Sequence, residues 1–203
     1  MIARRALLTG LVLSGLATAA RAQNADPATP IVALNSALLE AMKAGPSTPF
    51  AQRAAMISPA IQNTFDLQTI LRVVVGTPLA AFSPADQAAL LQAFTRYTVD
   101  SYTANFDRFG GETFAILPNP RAVGSDRVVA TTLTPSNGSP TRLDYVMRQS
   151  ASGWHVVDIL LDASISRVAV QRSDYRALVS HGAPALIAKL NQKSASLEAG
   201  AKD

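Results

Sequence analysis

At Gly110-Gly111 the spacing of the apolar residues changes from helical to alternating, and after Leu161 it changes back. No other feature restricts the fold as much, because a helical stripe and a pleated face cannot be exchanged. Upstream, Ile31, Leu34, Leu38 and Met42 follow Thr29-Pro30, a capping residue with proline at the first helical position, and Gly45-Pro46 ends the run. A second helix is expected over 50–57, with a short turn restarting at Ser58-Pro59. Asp66 caps a third, LQTILRVVV, which closes at Gly76. Ser83-Pro84-Ala85-Asp86 opens the longest, about 84–108, with an acid in the first turn where the helix dipole favours it. Leu90, Leu91, Phe94, Tyr97, Val99, Tyr102 and Phe106 form a broad aromatic-rich stripe along it.

Downstream, strands are expected over 113–118, 126–134, 141–149 and from 153 to about 161. In the third, Leu143, Tyr145 and Met147 share one face and Arg142, Asp144 and Arg148 the other. The short links imply an antiparallel meander. Helices over about 165–180 and 184–193 follow, broken at Gly182, and 194–203 is expected to be a disordered tail. Helices, then four strands, then helices predict an α+β fold, with the helices gathered on one face of a four-stranded antiparallel sheet.

Residues 1–22 read as a secretory signal peptide: Arg4 and Arg5, the apolar ALLTGLVLSGL, and the small-x-small site Ala20-Arg21-Ala22. The expected mature protein, a single domain over 23–193 with its tail, has 15 basic and 14 acidic residues, a net of +1 against +4 for the full chain. No basic cluster or basic-aromatic stripe points to nucleic acid. The chain has no cysteine, which excludes disulfides, thiolate metal sites and cysteine nucleophiles. Two well-separated histidines give no metal-ligand spacing, so no metal or other cofactor is expected.

Few residues invite chemistry. His155 should face away from Trp154 and Val156, and His181 sits where a helix C-terminus favours it. Asp158 lies among apolar strand residues. It fits a general base with a raised pKa, as in some cone-shaped α+β isomerases, or a structural acid paired with backbone N–H groups or with Arg172. No second catalytic group accompanies it. Only 16% of the residues are charged, and apolar side chains occupy more than one face of the long helix and of the fourth strand. An enclosed cavity would use that surplus.

The order of these motifs resembles the periplasmic lipid-binding proteins of the MlaC/toluene-tolerance family. The resemblance runs through ISPAIQNTFDLQTILRVVVG, SPADQAALLQAFTRYTVDSYTANFDRFGGETF, RLDYVMRQSASGWHVVDILLDASISRVAVQRSDY and GAPALIAKL. FTRYTVDSYTANFDRFGGETF and AVQRSDY look most like the branch associated with hopanoid biosynthesis, the HpnM type. Many members have glycine where this chain has Ala163. The resemblance implies an NTF2-like cone, a curved sheet with helices packed over it around an apolar pocket for lipid tails. The implied lining is Phe65, Leu71 and Val74; Leu90, Phe94, Tyr97, Tyr102 and Phe106; Leu143, Tyr145 and Met147; Trp154, Val156, Ile159 and Leu161; Val168 and Tyr175. Strict alternation would not let Trp154/Val156 and Ile159/Leu161 line one cavity without a bulge or twist.

Asp158 and Arg172 would be structural polar residues and no residue catalytic. The implied cargo is a phospholipid or a hopanoid, carried by a monomer between inner-membrane and outer-membrane lipid-transport components with transient contact near the membrane. Two alternatives stand beside it. One is an NTF2-like enzyme of isomerase or hydrolase type, acting on a hydrophobic polycyclic substrate through Asp158 and His155. The other is a periplasmic adaptor without a ligand.

Overall fold

The computed structural model describes residues 26–201; the expected signal peptide and its cleavage site lie outside them. The element types follow the change of period. Helices α1 (Thr29–Ala44), α2 (Phe50–Thr64), α3 (Leu67–Val75) and α4 (Pro84–Asn105) precede the strands, with a 3-10 turn at Thr77–Ala81. Strands β1 (Thr113–Ile116), β2 (Arg121–Val123), β3 (Asp126–Thr134), β4 (Thr141–Ser150), β5 (Gly153–Leu161) and β6 (Ile165–Ser166) follow. Helices α5 (Arg167–Ser180) and α6 (Ala183–Glu198) end the fold. None of the described helices is long and apolar enough to cross a membrane.

The α+β class is correct, but the sheet has six strands where four were expected. Its order is β1-β3-β4-β5-β6, and β2 also pairs with β3. β1 takes Thr131–Thr134 of β3 and β2 takes Asp126–Val128, so the two divide one edge between them. Pro118 and Pro120 lie between them; proline cannot donate to a ladder and interrupts the edge there. β6, at two residues, is too short to leave an alternating pattern in the sequence. A turn at Asp162 and Ala163, both with positive φ, folds it back onto Leu160 and Leu161.

Helix limits differ for identifiable reasons. α2 continues through Pro59 to Thr64 instead of stopping at Ile57. Both Pro59 and Ala55, whose carbonyl loses its partner, are exposed to water, while fully buried Ile57 and Ile61 anchor the helix on either side. α4 ends at Asn105, short of Arg108, because Phe106 leaves the helix between the rings of Tyr102 and Phe114. α6 runs to Glu198, past the expected end at Lys193, because Ser194 and Leu197 are buried against the fold. Part of the segment expected to be disordered is therefore helical.

Two capping residues act as the sequence suggested. The Asp66 carboxylate accepts from Thr69 N–H at 2.9 Å and the Ser83 hydroxyl from Asp86 N–H at 3.1 Å. The helices cover one face of the sheet. α2, α3 and α5 all pack on β5, α4 packs against α2, α3 and α6, and α5 packs against α3 and α6. Asp66 N–H donates to Val156 carbonyl at 3.0 Å, tying the α2–α3 junction to the β5 edge away from β4.

Candidate functional site

β5 carries an extra residue. Val146 opposes Asp158 and Met147 opposes Val156, which leaves Val157 without a partner. This is a β-bulge, and it shifts the alternation by one residue. Val156 is thereby brought to the same face as Ile159 and Leu161, and all three border one cavity. Met147, Tyr145 and Leu143, their partners on β4, lie on that face as well. Val157 is buried but stands outside the main core cluster.

The cavity has a volume of about 340 Å³. Its floor is β4 and β5, and its walls are α4 and the first turns of α5. The aromatic stripe of α4 supplies much of the lining. Phe65 meets Tyr102 edge-on at 5.7 Å, Tyr102 stacks on Phe106 at 5.8 Å, and Phe106 leans on Phe114 at 5.9 Å. Phe94, Tyr97, Leu143, Tyr145, Val156, Ile159, Leu161 and Val168 complete the expected residues that border it.

Leu71, Val74, Leu90, Met147, Trp154 and Tyr175 do not border it, although they were expected to. They are buried in the solid core. Trp154 shares a strand face with Val156 but lies toward the other end of β5, with the Arg127 guanidinium 6.0 Å from its ring. The residues that the sequence reading missed are Leu67 and Ile70, one turn from the expected positions on α3, and a polar group. Thr98, Ser101 and Asn105 on α4 and Arg167 and Gln171 on α5 all border the cavity, Asn105 and Arg167 with exposed side chains. Thr98, Ser101 and Asn105 follow helical spacing from Phe94, a signal available in the sequence, but a search for apolar residues passes over it.

Asp158 borders the cavity, yet its oxygens are engaged elsewhere. Oδ1 accepts from Ile159 N–H at 2.7 Å and from Val168 N–H at 3.1 Å, and Oδ2 accepts from the Ser166 hydroxyl. The Ser166 oxygen in turn accepts from Ala169 N–H at 2.9 Å, capping α5. Asp158 thus fastens the bulge to the start of α5, where the helix dipole favours a carboxylate. Of the two structural partners considered for it, backbone N–H groups hold Asp158 and Arg172 does not. Arg172 reaches the Val73 carbonyl at 3.4 Å instead and ties α5 to the end of α3. Its guanidinium packs by Gly76, whose φ of +73° suits glycine.

His155 faces another way. Nδ1 lies 3.4 Å from the Ser150 hydroxyl, and the ring borders a separate surface depression with Ser152 and Asp66. The cavity therefore does not bring His155 and Asp158 together. Among the described residues, no group of three or more His, Asp or Glu side chains could hold a metal ion.

Two phenols stand at the cavity. Burial pushes the Tyr145 hydroxyl up to about 12 and raises that of Tyr102 well above its ordinary 10. Both remain neutral near pH 7, so the interior carries no charge on either ring. On the far side of α4, the Lys193 ammonium donates to the Tyr97 hydroxyl at 3.1 Å and closes that end of the wall.

A protein-family model described as MlaC protein matches residues 33–192. Among solved structures, the phospholipid-binding protein from Ralstonia solanacearum, in complex with a phospholipid, is similar to this chain. The likeness has a TM-score of 0.73 at 22% identity, over 85% of this chain and 99% of that one. At that identity it establishes a shared fold.

Proposed function

The chain belongs to the MlaC protein family, and on that premise we propose that it is a periplasmic lipid carrier. The observation that carries this reading is the apolar cavity between α4, α5 and the sheet, about 340 Å³ in volume. It lies within the range of roughly 300–1,000 Å³ typical of small-molecule sites. The phospholipid named with the similar Ralstonia protein makes a lipid the natural occupant. We read the helices packed over the sheet around this cavity as the cone that the resemblance implies.

Each methylene of an acyl chain buried in this cavity contributes about 0.8 kcal/mol before the costs of binding. A flexible acyl chain threads such a space more readily than a rigid fused-ring skeleton. Phospholipid is accordingly the first cargo proposed, and a hopanoid, suggested by the HpnM-like segments, is the second.

Release into water forfeits most of that energy. Transfer therefore takes place in contact with membrane-bound partners, one at each membrane, that offer an apolar path. The leader at 1–22 would deliver the protein to the periplasm, and we propose that it works there as a monomer.

Native mass spectrometry of the protein purified from its own host without detergent, followed by lipid extraction, tests the reading. A discrete bound mass identified as phospholipid or hopanoid is expected. A ligand-free mass that does not change on incubation with either class rejects it.

A further inference from the structure

α3 and α5 pack side by side, and each gives one face to the cavity, Leu67 and Ile70 from α3 and Val168 and Gln171 from α5. What they turn to water is basic. Residues 67–75 and 167–180 hold Arg72, Arg167, Arg172 and Arg176 against a single acid, Asp174. No carboxylate of the described residues lies within ion-pairing distance of any of the four. The expected mature chain is nearly balanced, with 15 basic and 14 acidic residues. The positive charge is therefore gathered on this pair of helices.

The arginines are set among small and apolar side chains. Arg172 reaches the Val73 carbonyl at 3.4 Å, which brings the last turn of α3, with exposed Arg72 and Val73, beside the middle of α5. Helical spacing places Arg172, Arg176, Ala169, Ser173, Ala177 and Val170 in one continuous arc of α5. All six are exposed, and the arc contains no acid. Val73 and Val170 are 43% and 37% exposed. Ala169, Ser173 and Ala177 are small enough to let the helix lie close to a flat surface. Such a surface matches an anionic phospholipid bilayer: guanidinium groups reach the phosphates, their stems lie along apolar surface, and the valines enter the boundary beneath. A convex helix face without an aromatic anchor offers a folded protein less to grip.

We propose that the outer arc of α5, with Arg72 and Val73 of α3, docks directly on an anionic phospholipid bilayer. The proposal rests on the carrier reading for its purpose. Docked in this way, the protein holds two of the helices that border its cavity against the membrane that supplies or receives the lipid.

The test is flotation of the full mature protein with vesicles of phosphatidylcholine alone and of phosphatidylcholine mixed with an equal part of phosphatidylglycerol. The protein is expected to float with the anionic vesicles, and less so as salt is added. Arg72→Gln combined with Arg176→Gln should weaken that binding by about twentyfold, at about fivefold for each arginine near an anionic surface. Arg172 is left in place because it also ties α5 to α3. Arg72→Lys with Arg176→Lys should keep most of the binding, since the charge remains. Lys43→Gln with Arg121→Gln removes the same charge elsewhere and should change binding by less than about twofold. Val170→Ser should cost about fivefold, and this loss should persist at high salt.

Equal partition into the two kinds of vesicle overturns the docking face, and so does an equal loss from the two glutamine double variants. Retention on polyglutamate that Arg72→Gln with Arg176→Gln abolishes, without flotation on either vesicle, assigns the face to an acidic protein and overturns the proposal. Protein that carries lipid in native mass spectrometry but floats with neither vesicle overturns the docking and leaves the carrier reading standing. Flotation on anionic vesicles by a protein that never holds lipid supports the docking and rejects the carrier reading.

Discussion

The two sides of α4 have opposite fates. Toward α6 the packing is solid: Leu186 and Leu190 are fully buried, and so is Ser194. Arg96 joins Glu198 at 2.6 Å and lies 3.5 Å from Asp100, adding polar ties along the same seam. Toward α5 the same helix borders a void of about 340 Å³. The difference comes from the partners. α6 brings leucines, whereas α5 brings Arg167, Val168 and Gln171, one small apolar side chain between two polar ones. A helix face becomes core or cavity wall according to the bulk set against it.

Truncations on the two sides should break or confirm this contrast most forcefully. Leu190→Ala should cost about 3 kcal/mol, because it opens a hole in dense packing, and Val168→Ala about 1 kcal/mol, because its neighbours on one side are already missing. Urea denaturation of both variants measures the gap, and equal losses would remove the distinction. Asp158→Asn comes next. It keeps the shape and discards the charge that holds α5 to the bulge, at a cost of about 2 kcal/mol. Hydrogen exchange at Val168 and Ala169 should accelerate while α6 stays protected.

Filling the void sharpens the contrast from the other direction. Ile159→Phe should change stability by no more than about 1 kcal/mol while displacing apolar ligand by about tenfold. Displacement of a fluorescent fatty acid reads that loss, and unchanged binding would place the ligand elsewhere. Ala163→Gly bears on the turn that delivers α5. Ala163 has a φ of +60°, where a side chain is strained, so glycine should stabilise the fold by about 1 kcal/mol in thermal unfolding.

The smallest effect expected lies in the solid seam. Asp100 is 4% exposed, and burial above all holds its carboxyl above the ordinary 3.8, with the Ser194 hydroxyl and the Arg96 guanidinium opposing in part. The folded protein therefore binds that proton more tightly than the unfolded chain does. The group supports the fold most below pH 3.8 and loses that support as pH rises through the raised value. Asp100→Asn should accordingly melt higher than the unaltered protein at pH 7, with the gap closing at pH 3. A gap that widens on acidification would show that the seam gains from the ionised carboxylate.

Local order determined much of this protein. The change of period at Gly110-Gly111, the caps at Asp66 and Ser83, and the proline and glycine stops specify element type and order, because each acts within one turn or one pleat of itself. The motif order was enough to indicate the family. The tertiary structure decided the rest. Whether Trp154 and Ile159 share a face depends on the bulge at Val157, whose pairing with β4 and anchoring to α5 through Asp158 are settled between strands. Whether Leu90 or Phe94 meets a ligand depends on which side chains arrive from α5 and α6. Period reports which side of an element is buried; what that side is buried against is set by residues far along the chain, and no local pattern contains it.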